Sequence, residues 1–292
     1  RVVAARETAN GAVAEILHAD GTRSERACDI LVGADGIHSA LRQQFYPDEG
    51  APRWNGMMMW RGTTLARPFL DGRTMVQAGH RRAKFVVYPI EPVRPDGLQR
   101  INWICDRRLR EDGFGGGLTA PSREDWSKPG SLDDLLPTFG SWRFAWLDVP
   151  GLIRAAEQIL EWPMVDRDPL PRWRHGHTTL LGDAAHPMYP IGSNGATQAI
   201  LDAAALADAL DGHASITAAL NAYEAARLPM TRDIVAMNRR EGLDAILDMV
   251  EEAAPEGFAR IEDVTDPTVL AEWVQAYKKT AGHQVGRPQA VH

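Results

Sequence analysis

An acidic side chain that follows a short strand and precedes a glycine- and proline-rich loop gives this sequence its clearest chemical pattern. Residues 178–181 have the character of a buried strand, and Gly182, Asp183 and Ala184 follow it directly. An ionised carboxylate only accepts hydrogen bonds, so Asp183 suits a ligand hydroxyl, while Gly182 permits a sharp turn and close approach of the backbone. Ligands of open α/β sheets bind outside the carboxyl ends of the strands. The pattern therefore predicts a site for a large, flat, hydroxylated cofactor.

The loop after this strand leads into an alanine-rich helix, predicted over 196–210, with Asn194 as its candidate N-cap. The unpaired N–H groups and the positive end of the helix dipole would stabilise negative charge on a bound ring. The loop and first-turn residues predicted to bind the cofactor are Pro190, Gly192, Asn194, Gly195, Ala196 and Thr197. The alternative is an ordinary strand–loop–helix joint in which the acid occurs by chance.

The buried face of that helix is predicted from the spacing of its apolar residues. Ile200, Ala203, Ala207 and Leu210 recur at helical intervals and would cover the core.

A second acid-tipped strand strengthens the cofactor interpretation. Residues 29–36 form an apolar strand that ends in Asp35 and Gly36, and a helix then begins near Ser39 and Arg42. Ser39 and Arg42 are placed to contact backbone or phosphate near the strand end. We therefore expect the two strands to end side by side and to bind the cofactor jointly, with Asp35, Gly36 and Arg42 among the contacts.

Together the two segments resemble the motifs of the class A FAD-dependent aromatic monooxygenases. Residues 33–36, with Ser39 and Arg42, are similar to the family's Asp-Gly motif, and residues 182–186 with the following loop are similar to its Gly-Asp motif. Asp202 and residues 223–227 also fit the family pattern.

This resemblance implies an FAD cofactor, NADH or NADPH as co-substrate, and hydroxylation of an aromatic ring by O2 through a flavin hydroperoxide. It further implies that Asp183 binds the ribityl region and that the backbone of 192–197 faces the isoalloxazine ring. Residues 59–62, 69–75 and 162–171 resemble members of the family that act on phenazines, which implies a phenazine-like heteroaromatic substrate.

One family feature is absent from the sequence. Members of the family open with a strand–GxGxxG–helix unit that holds the ADP half of the cofactor. The nearest approach is residues 113–118, which follow no strand and are interpreted as a mobile loop. We therefore expect that at least one βαβ unit of about 30 residues is missing from the given sequence, and that FAD binding by these 292 residues alone has to be tested.

The fold class predicted is α/β: a Rossmann-like FAD-binding domain formed by 1–52 and 166–292, with C-terminal helices. A mostly antiparallel β-sheet domain over 53–165 is inserted between the two parts and would bind the substrate. Its candidate substrate residues are Met57, Met59, Arg61, Tyr88 and Met164. Methionine adapts to aromatic ligands and Arg61 could pair with a substrate carboxylate. The alternative is that the methionines belong to the core and that Arg61 caps a sheet edge or forms an internal ion pair.

Other polar residues near these motifs receive structural interpretations. His186 is expected to position the loop rather than act as an acid or base. Asp166 and Asp168 flank an arginine and precede a proline, which is typical of a charged turn. His175 and His177 lack further ligands for a metal.

Composition limits the function classes. The 292 residues carry a net charge of −7, which argues against nucleic acid and anionic membranes as partners. No apolar run has the length of a membrane span, and two cysteines form neither a disulfide framework nor a metal motif. We expect a cytoplasmic protein that binds a small aromatic substrate and O2 but no metal, and a homodimer is compatible with the sequence.

Two alternatives to the hydroxylase remain open. A flavin halogenase or reductase of the same superfamily would keep the fold and change the reaction. A truncated member without catalysis would serve as a scaffold or partner.

Overall fold

The computed structural model describes residues 1–111, 120–121, 125–240 and 244–280. The glycine-rich 113–118 segment therefore lies outside the described residues. The chain forms two compact units. The first comprises Arg1–Arg53, Val165–Ile246 and the segment that begins at Arg260, and the second comprises Trp54–Met164 and Leu247–Ala259.

The strands and helices are named in chain order. The strands are β1 (Val2–Thr8), β2 (Gly11–Leu17), β3 (Arg23–Cys28), β4 (Leu31–Gly33), β5 (Arg53–Ala66), β6 (Val76–His80), β7 (Ala83–Pro89), β8 (Gln99–Arg108), β9 (Arg143–Phe144), β10 (Leu147–Asp148), β11 (Ile159–Asp166) and β12 (Thr178–Leu180). The helices are α1 (Ala40–Phe45), α2 (Leu132–Phe139), α3 (Val149–Arg154), α4 (Gly195–Gly212), α5 (Ile216–Arg239), α6 (Ala245–Ala253) and α7 (Pro267–Thr280).

The first unit contains two small sheets. β1, β2 and β3 form an antiparallel meander, in which Thr8 pairs with Gly11 across a tight turn at Ala9 and Asn10. β4 and β12 form a separate parallel pair. The core of this unit includes Leu41, Trp173, Leu180, Leu220 and Tyr223, which are all nearly inaccessible to solvent. The Tyr223 hydroxyl also donates a hydrogen bond to the Leu180 carbonyl, 3.0 Å away, and so ties α5 to β12.

The predicted buried face of α4 is wrong. Ile200 is 70% exposed, and Ala203, Ala207 and Leu210 are exposed as well. The helix instead buries Gln198, Asp202, Leu206 and Ala209. The helix α4 carries small apolar residues of its own on every face, so its apolar periodicity is weak. The buried hydrogen bonds of Gln198 and Asp202 decide which face points inward.

The second unit is built on a five-stranded sheet in the order β11-β5-β8-β7-β6. The pairings β5–β8, β7–β8 and β6–β7 are antiparallel, as the sequence predicts for this part of the chain. One face carries Phe85 and Trp103 and packs against Phe139 of α2, and Thr64 on the same face donates a hydrogen bond to the Leu152 carbonyl of α3. The two helices therefore cover one side of the sheet.

Residues 247–259 group with the second unit, whereas the sequence-based division assigns them to the first. His80 and the Arg81 amide at the β6–β7 turn both lie close to the Glu251 carboxylate. These polar contacts tie the segment to the sheet. In the described part of the chain, no helix combines the length and the apolar composition that a membrane crossing requires.

Candidate cofactor site

The two acid-tipped strands end side by side. β4 and β12 pair in parallel, with Leu31 opposite Thr178 and Gly33 opposite Leu180. The Leu181 amide continues the ladder by donating to the Gly33 carbonyl at 2.9 Å. Because the strands run in the same direction, Asp35 and Asp183 follow at the same edge of the sheet. This is the adjacency that the sequence predicts.

Glycines shape the turns at this edge. Gly36, Gly182 and Gly192 all have positive φ angles, of 78°, 60° and 71°. Residues with a β-carbon rarely adopt these angles. A β-carbon added at Gly36 would meet no atom within 4 Å, so the space beside this turn is open. The turns therefore depend on glycine and leave backbone accessible to a ligand.

A cavity of about 580 Å³ lies at the end of β4. Its lining includes Val32, Ala34, Asp35, His38 and Leu41. The mixture of apolar side chains with a carboxylate and an imidazole suits part of a large polar cofactor. Within it, Asp35 accepts a hydrogen bond from the Ala40 amide at 2.8 Å, the first amide of α1, whose N-cap is Ser39.

The Asp183 carboxylate is available for a ligand. It is exposed, and it accepts no hydrogen bond from any described residue. The surrounding protein nevertheless desolvates it and raises its pKa, against the opposing effect of the nearby His186. A β-carbon added to Gly195 would lie 4.0 Å from Asp183 Oδ1, so the first turn of α4 approaches this carboxylate. Asp183 can thus accept a hydroxyl donor beside a helix N-terminus.

The predicted cap of that helix is only half right. Asn194 does occupy the N-cap position of α4, but its side chain makes no capping hydrogen bond. The reason is that Asn194 already has helical backbone angles, because a short 3-10 turn over Ile191–Ser193 leads straight into it. The first amide to donate a helical hydrogen bond is that of Gln198, to the Asn194 carbonyl. The amides of Gly195, Ala196 and Thr197 thus lie ahead of the helix ladder, as helix N-termini require.

Arg42 does not have the role that its motif predicts. The side chain is 1% exposed, and its guanidinium donates to the Glu49 carboxylate and to the carbonyls of Ala184, Ala185 and Asp168. All five of its N–H groups are used in these bonds. In this structure Arg42 therefore has no N–H group left to donate to a phosphate. Arg42 instead fixes the backbone that follows Asp183.

A buried polar network that the sequence hardly reveals supports the Gly-Asp turn. Asp202 Oδ2 accepts hydrogen bonds from the Gly182 amide, at 3.0 Å, and from His186 Nε2, while Asp202 Oδ1 pairs with Arg227 Nε at 2.7 Å. Arg227 Nη2 also donates to Gln198. Burial acts to raise the pKa of Asp202, but its hydrogen bonds with His186, Arg227 and Gly182 outweigh burial and leave that pKa below its usual value. The family resemblance points to Asp202 and to residues 223–227, but the sequence does not show which contacts they make.

His186 therefore has a positioning contact. The ring joins the loop to α4 through Asp202, and its Nδ1 is buried without a hydrogen-bond partner among the described residues.

The segment 166–168 is an ion-pair centre with distant partners rather than the local charged turn that the sequence predicts. Asp166 is fully buried and forms two hydrogen bonds with Arg239, and Asp168 bonds both Arg239 and Arg53. Desolvation raises the pKa of Asp166 to about 6, although Arg239 opposes it. Arg167 between them donates to the Ile37 carbonyl, directly after the Asp35-Gly36 turn. Long-range partners on α5 and β5, invisible in a local pattern, account for the difference.

The candidate substrate residues all lie in the second unit. Met57, Met59 and Met164 are between 2% and 7% exposed and belong to its interior. Arg61 is exposed and Tyr88 is half-buried. By the pairing of β5 with β8 and of β7 with β8, Met57, Met59, Arg61 and Tyr88 share one face of the sheet, opposite the face that α2 and α3 cover.

In the part of the chain that the structure describes, no group of three or more His, Cys, Asp or Glu side chains is arranged to hold a metal ion.

Known proteins resemble this chain in sequence and in fold. Residues 150–238 match the family model of the FAD binding domain. Phenazine 1,6-dicarboxylic acid hydroxylase PhzS from Lysobacter antibioticus is 48% identical over 211 residues, which is 72% of this chain and 50% of that protein. The 3-amino-4-hydroxybenzoate 2-monooxygenase PtmB3 from Streptomyces platensis is 38% identical over 229 residues, covering 77% of this chain and 52% of that protein.

Among solved structures, Klebsiella pneumoniae HpxO complexed with FAD and uric acid superposes with a TM-score of 0.63 at 23% identity, covering 97% of this chain and 62% of that one. That likeness concerns the fold. The chain spans about half the length of the curated relatives it matches. On its motifs, its FAD-binding segment and these relatives, the chain belongs to the FAD-dependent aromatic monooxygenase family.

Proposed function

We propose that this chain is part of an FAD-dependent, NAD(P)H-using monooxygenase that hydroxylates an aromatic or heteroaromatic acid, of which a phenazine is the preferred example. The observation that carries the proposal is the parallel pairing of β4 with β12, which puts Asp35 and Asp183 at one sheet edge.

The residues at this edge fit FAD in their chemistry. Asp183 is an acceptor without a donor among the described residues, as a ribityl hydroxyl requires. The α4 N-terminus beside it offers the amides of Gly195, Ala196 and Thr197 to an electron-rich ring edge. Gly182 and Gly192 keep side chains out of the approach, and Ala184 and Pro190 complete the candidate contacts.

The protein's part in the reaction is to bind, orient and exclude water. Bound FAD would supply the activation of O2, which no amino-acid side chain provides. In the overall reaction, the aromatic substrate, O2, NAD(P)H and a proton give the hydroxylated substrate, water and NAD(P)+. Asp202, His186 and Arg42 would hold the turn that presents Asp183, without touching the substrate.

The substrate class is supported by the relatives. PhzS is named for a phenazine dicarboxylic acid and PtmB3 for a hydroxybenzoate, so both names contain a carboxylate on an aromatic ring. In this chain the face of the second-unit sheet with Met57, Met59, Arg61 and Tyr88 combines soft apolar contact with a cation. Met164 is the remaining candidate for contact with the ring.

Two measurements test the proposal. The first is FAD binding to the chain, followed by quenching of flavin fluorescence and by the visible spectrum. The second, on the full-length gene product, is oxygen transfer from ¹⁸O2 to phenazine carboxylates and hydroxybenzoates, followed by mass spectrometry together with NADH and NADPH oxidation.

One labelled oxygen atom per molecule of product is expected. Flavin binding without oxygen transfer to any member of the panel would contradict the monooxygenase assignment. Chloride-dependent formation of a chlorinated product would identify a halogenase instead. A full-length product that does not bind flavin would leave only the scaffold alternative.

A further inference from the structure

Arg61 carries a charge that no described residue neutralises. Its Nε donates to Asn102 Oδ1 at 2.6 Å, and no carboxylate of the described chain forms an ion pair with it. The four N–H groups on Nη1 and Nη2 make no hydrogen bond with the described residues. A guanidinium fork with both outer nitrogens available matches the two oxygens of a carboxylate.

Asn102 adds a second donor at the same place. The residue is 0% exposed, and its Nδ2 is buried without a hydrogen-bond partner among the described residues. Buried polar groups in folded proteins are nearly always paired, because an unpaired one costs free energy. The amide orientation is fixed by the bond from Arg61, so Nδ2 is a donor that lacks an acceptor.

The strand register brings a third group to this point. Tyr88 on β7 lies directly opposite Asn102 on β8, and Thr63 on β5 lies opposite Asn102 on the other side. Arg61 is two residues from Thr63, so it reaches Asn102 diagonally. The Tyr88 hydroxyl has no hydrogen bond to a described residue.

Arg61 differs from the charged residues near it on this face because no described carboxylate pairs with it. Lys84 and Asp106, on one side, form a buried ion pair of 3.0 Å and neutralise each other. Arg100, towards the other end of the face, pairs with the carboxylates of Glu91 and Glu157. Three hydrogen-bond donors and one positive charge on adjacent strands suit an oxyanion with more than one acceptor oxygen.

We propose that Arg61, Asn102 and Tyr88 form an acid subsite that receives the carboxylate of an aromatic substrate. The inference rests on the proposed function and adds Asn102 to it. Asn102 has two tasks: its Oδ1 holds Arg61 by Nε so that the outer nitrogens stay free, and its Nδ2 donates to the carboxylate.

The test compares a carboxylate with its neutral isostere. The purified chain, without flavin, is titrated with 1-naphthoate and with 1-naphthamide, and the two dissociation constants are measured by saturation-transfer NMR. Arg61→Gln and Asn102→Leu each remove part of the subsite. Asn102→Asp keeps the acceptor for Arg61 but replaces the Nδ2 donor by an oxygen. The matched control is Arg67→Gln, an exposed arginine directly after the same strand.

The wild-type chain and Arg67→Gln are expected to bind naphthoate more tightly than naphthamide. The three subsite variants should weaken naphthoate binding by about 10-fold or more, as expected for a lost charge-assisted hydrogen bond. Their binding of naphthamide should change by less than about 3-fold, because apolar contacts remain. Arg61 is exposed, so Arg61→Gln gives a result even if an Asn102 variant fails to fold.

Equal binding of the two ligands by the wild type, or an unchanged preference in Arg61→Gln, would overturn the acid subsite. Parallel loss of both ligands would also overturn it. Flavin binding is measured independently. A chain that prefers the carboxylate but never binds FAD would contradict the proposed function and leave the subsite standing. FAD binding without a carboxylate preference would contradict the acid subsite and leave the proposed function standing.

Discussion

Asp202 accepts a hydrogen bond from the Gly182 amide, 3.0 Å from Oδ2, although 20 residues separate the two in sequence. The bond joins the middle of α4 to the turn that carries Asp183. Asp202 also neutralises Arg227, whose side chain is 6% exposed. One buried carboxylate therefore stabilises both the turn and the α4–α5 contact.

Replacement of Asp202 by alanine is expected to lower the free energy of unfolding by about 3–5 kcal/mol, the range for a buried ion pair that loses one partner. Urea denaturation followed by circular dichroism measures it. Asp208→Asn, at an exposed position of the same helix, is the control and should stay within about 0.5 kcal/mol of wild type. A similar small effect for Asp202→Ala would contradict the role assigned to the network.

Replacement of Arg42 by lysine tests whether shape or charge matters at that position. Lysine keeps the charge next to Glu49 but cannot reproduce the fork that reaches the carbonyls of Ala184, Ala185 and Asp168. We expect a loss of about 2–4 kcal/mol, because each lost hydrogen bond leaves a buried carbonyl unpaired. Thermal and urea unfolding provide the measurement, and Arg26→Lys on the exposed strand β3 is the matched control.

The free energy of unfolding should depend on pH through the Asp166 carboxyl. Burial raises its pKa in the folded chain from 3.8 to about 6. A raised pKa means that the folded state favours the protonated form, so this contribution to stability is complete below pH 4 and is lost as pH rises through 6. At 1.36 kcal/mol per pKa unit the loss is about 3 kcal/mol.

The difference in unfolding free energy between wild type and Asp166→Asn, measured at pH 4, 5, 6 and 7, isolates this group. The wild type should lose stability relative to the variant across this window. A difference that does not vary with pH, or that grows in favour of the wild type, would show that Arg239 keeps Asp166 ionised throughout.

Substitution of Asp183 should change FAD affinity without lowering the free energy of unfolding. It is desolvated and receives no hydrogen bond from the described residues, so its charge contributes nothing evident to folding. Asp183→Asn is therefore expected to be as stable as wild type or slightly more so, and to bind FAD more weakly by about 10-fold or more, as for a lost hydrogen bond to a charged group. Urea unfolding and flavin fluorescence measure the two quantities on one preparation. Unchanged FAD affinity would remove Asp183 from the candidate contacts.

The orientation of α4 can be tested by a pair of substitutions. Ile200→Lys, at a position 70% exposed, should change the unfolding free energy by no more than about 0.5 kcal/mol. Leu206→Ala, at a position 7% exposed, should cost about 2–5 kcal/mol. The opposite ranking would restore the face that the apolar spacing predicts.

The parts of the site that depend on neighbouring residues could be predicted from local patterns. The antiparallel sheet of the second unit and the two acid-tipped strands are each encoded within a few consecutive residues. The adjacency of the two strand ends was also predicted, because ligands of open α/β sheets bind outside the carboxyl ends of the strands.

What the sequence could not supply was the partner of each charged side chain. Arg42 bonds backbone 142 and 143 residues away, and Asp166 meets Arg239 after 73 residues. Such pairs depend on tertiary packing, so a motif that places Arg42 near a phosphate cannot reveal that its donors are already used. The same holds for α4, where hydrogen bonds of Gln198 and Asp202 override the apolar spacing.

Because the guanidinium of Arg42 donates only to groups within the protein, it also affects how ligand affinity depends on salt concentration. A phosphate-bearing molecule at the edge of β4 and β12 would gain no attraction from this cation, and the oriented dipoles of the α4 amides would act on it at short range instead. Mobile ions screen interactions between exposed charges over about 8–10 Å, but affect short contacts with neutral donors far less. Raising the salt concentration should therefore not weaken binding at this edge through the loss of an attraction to Arg42.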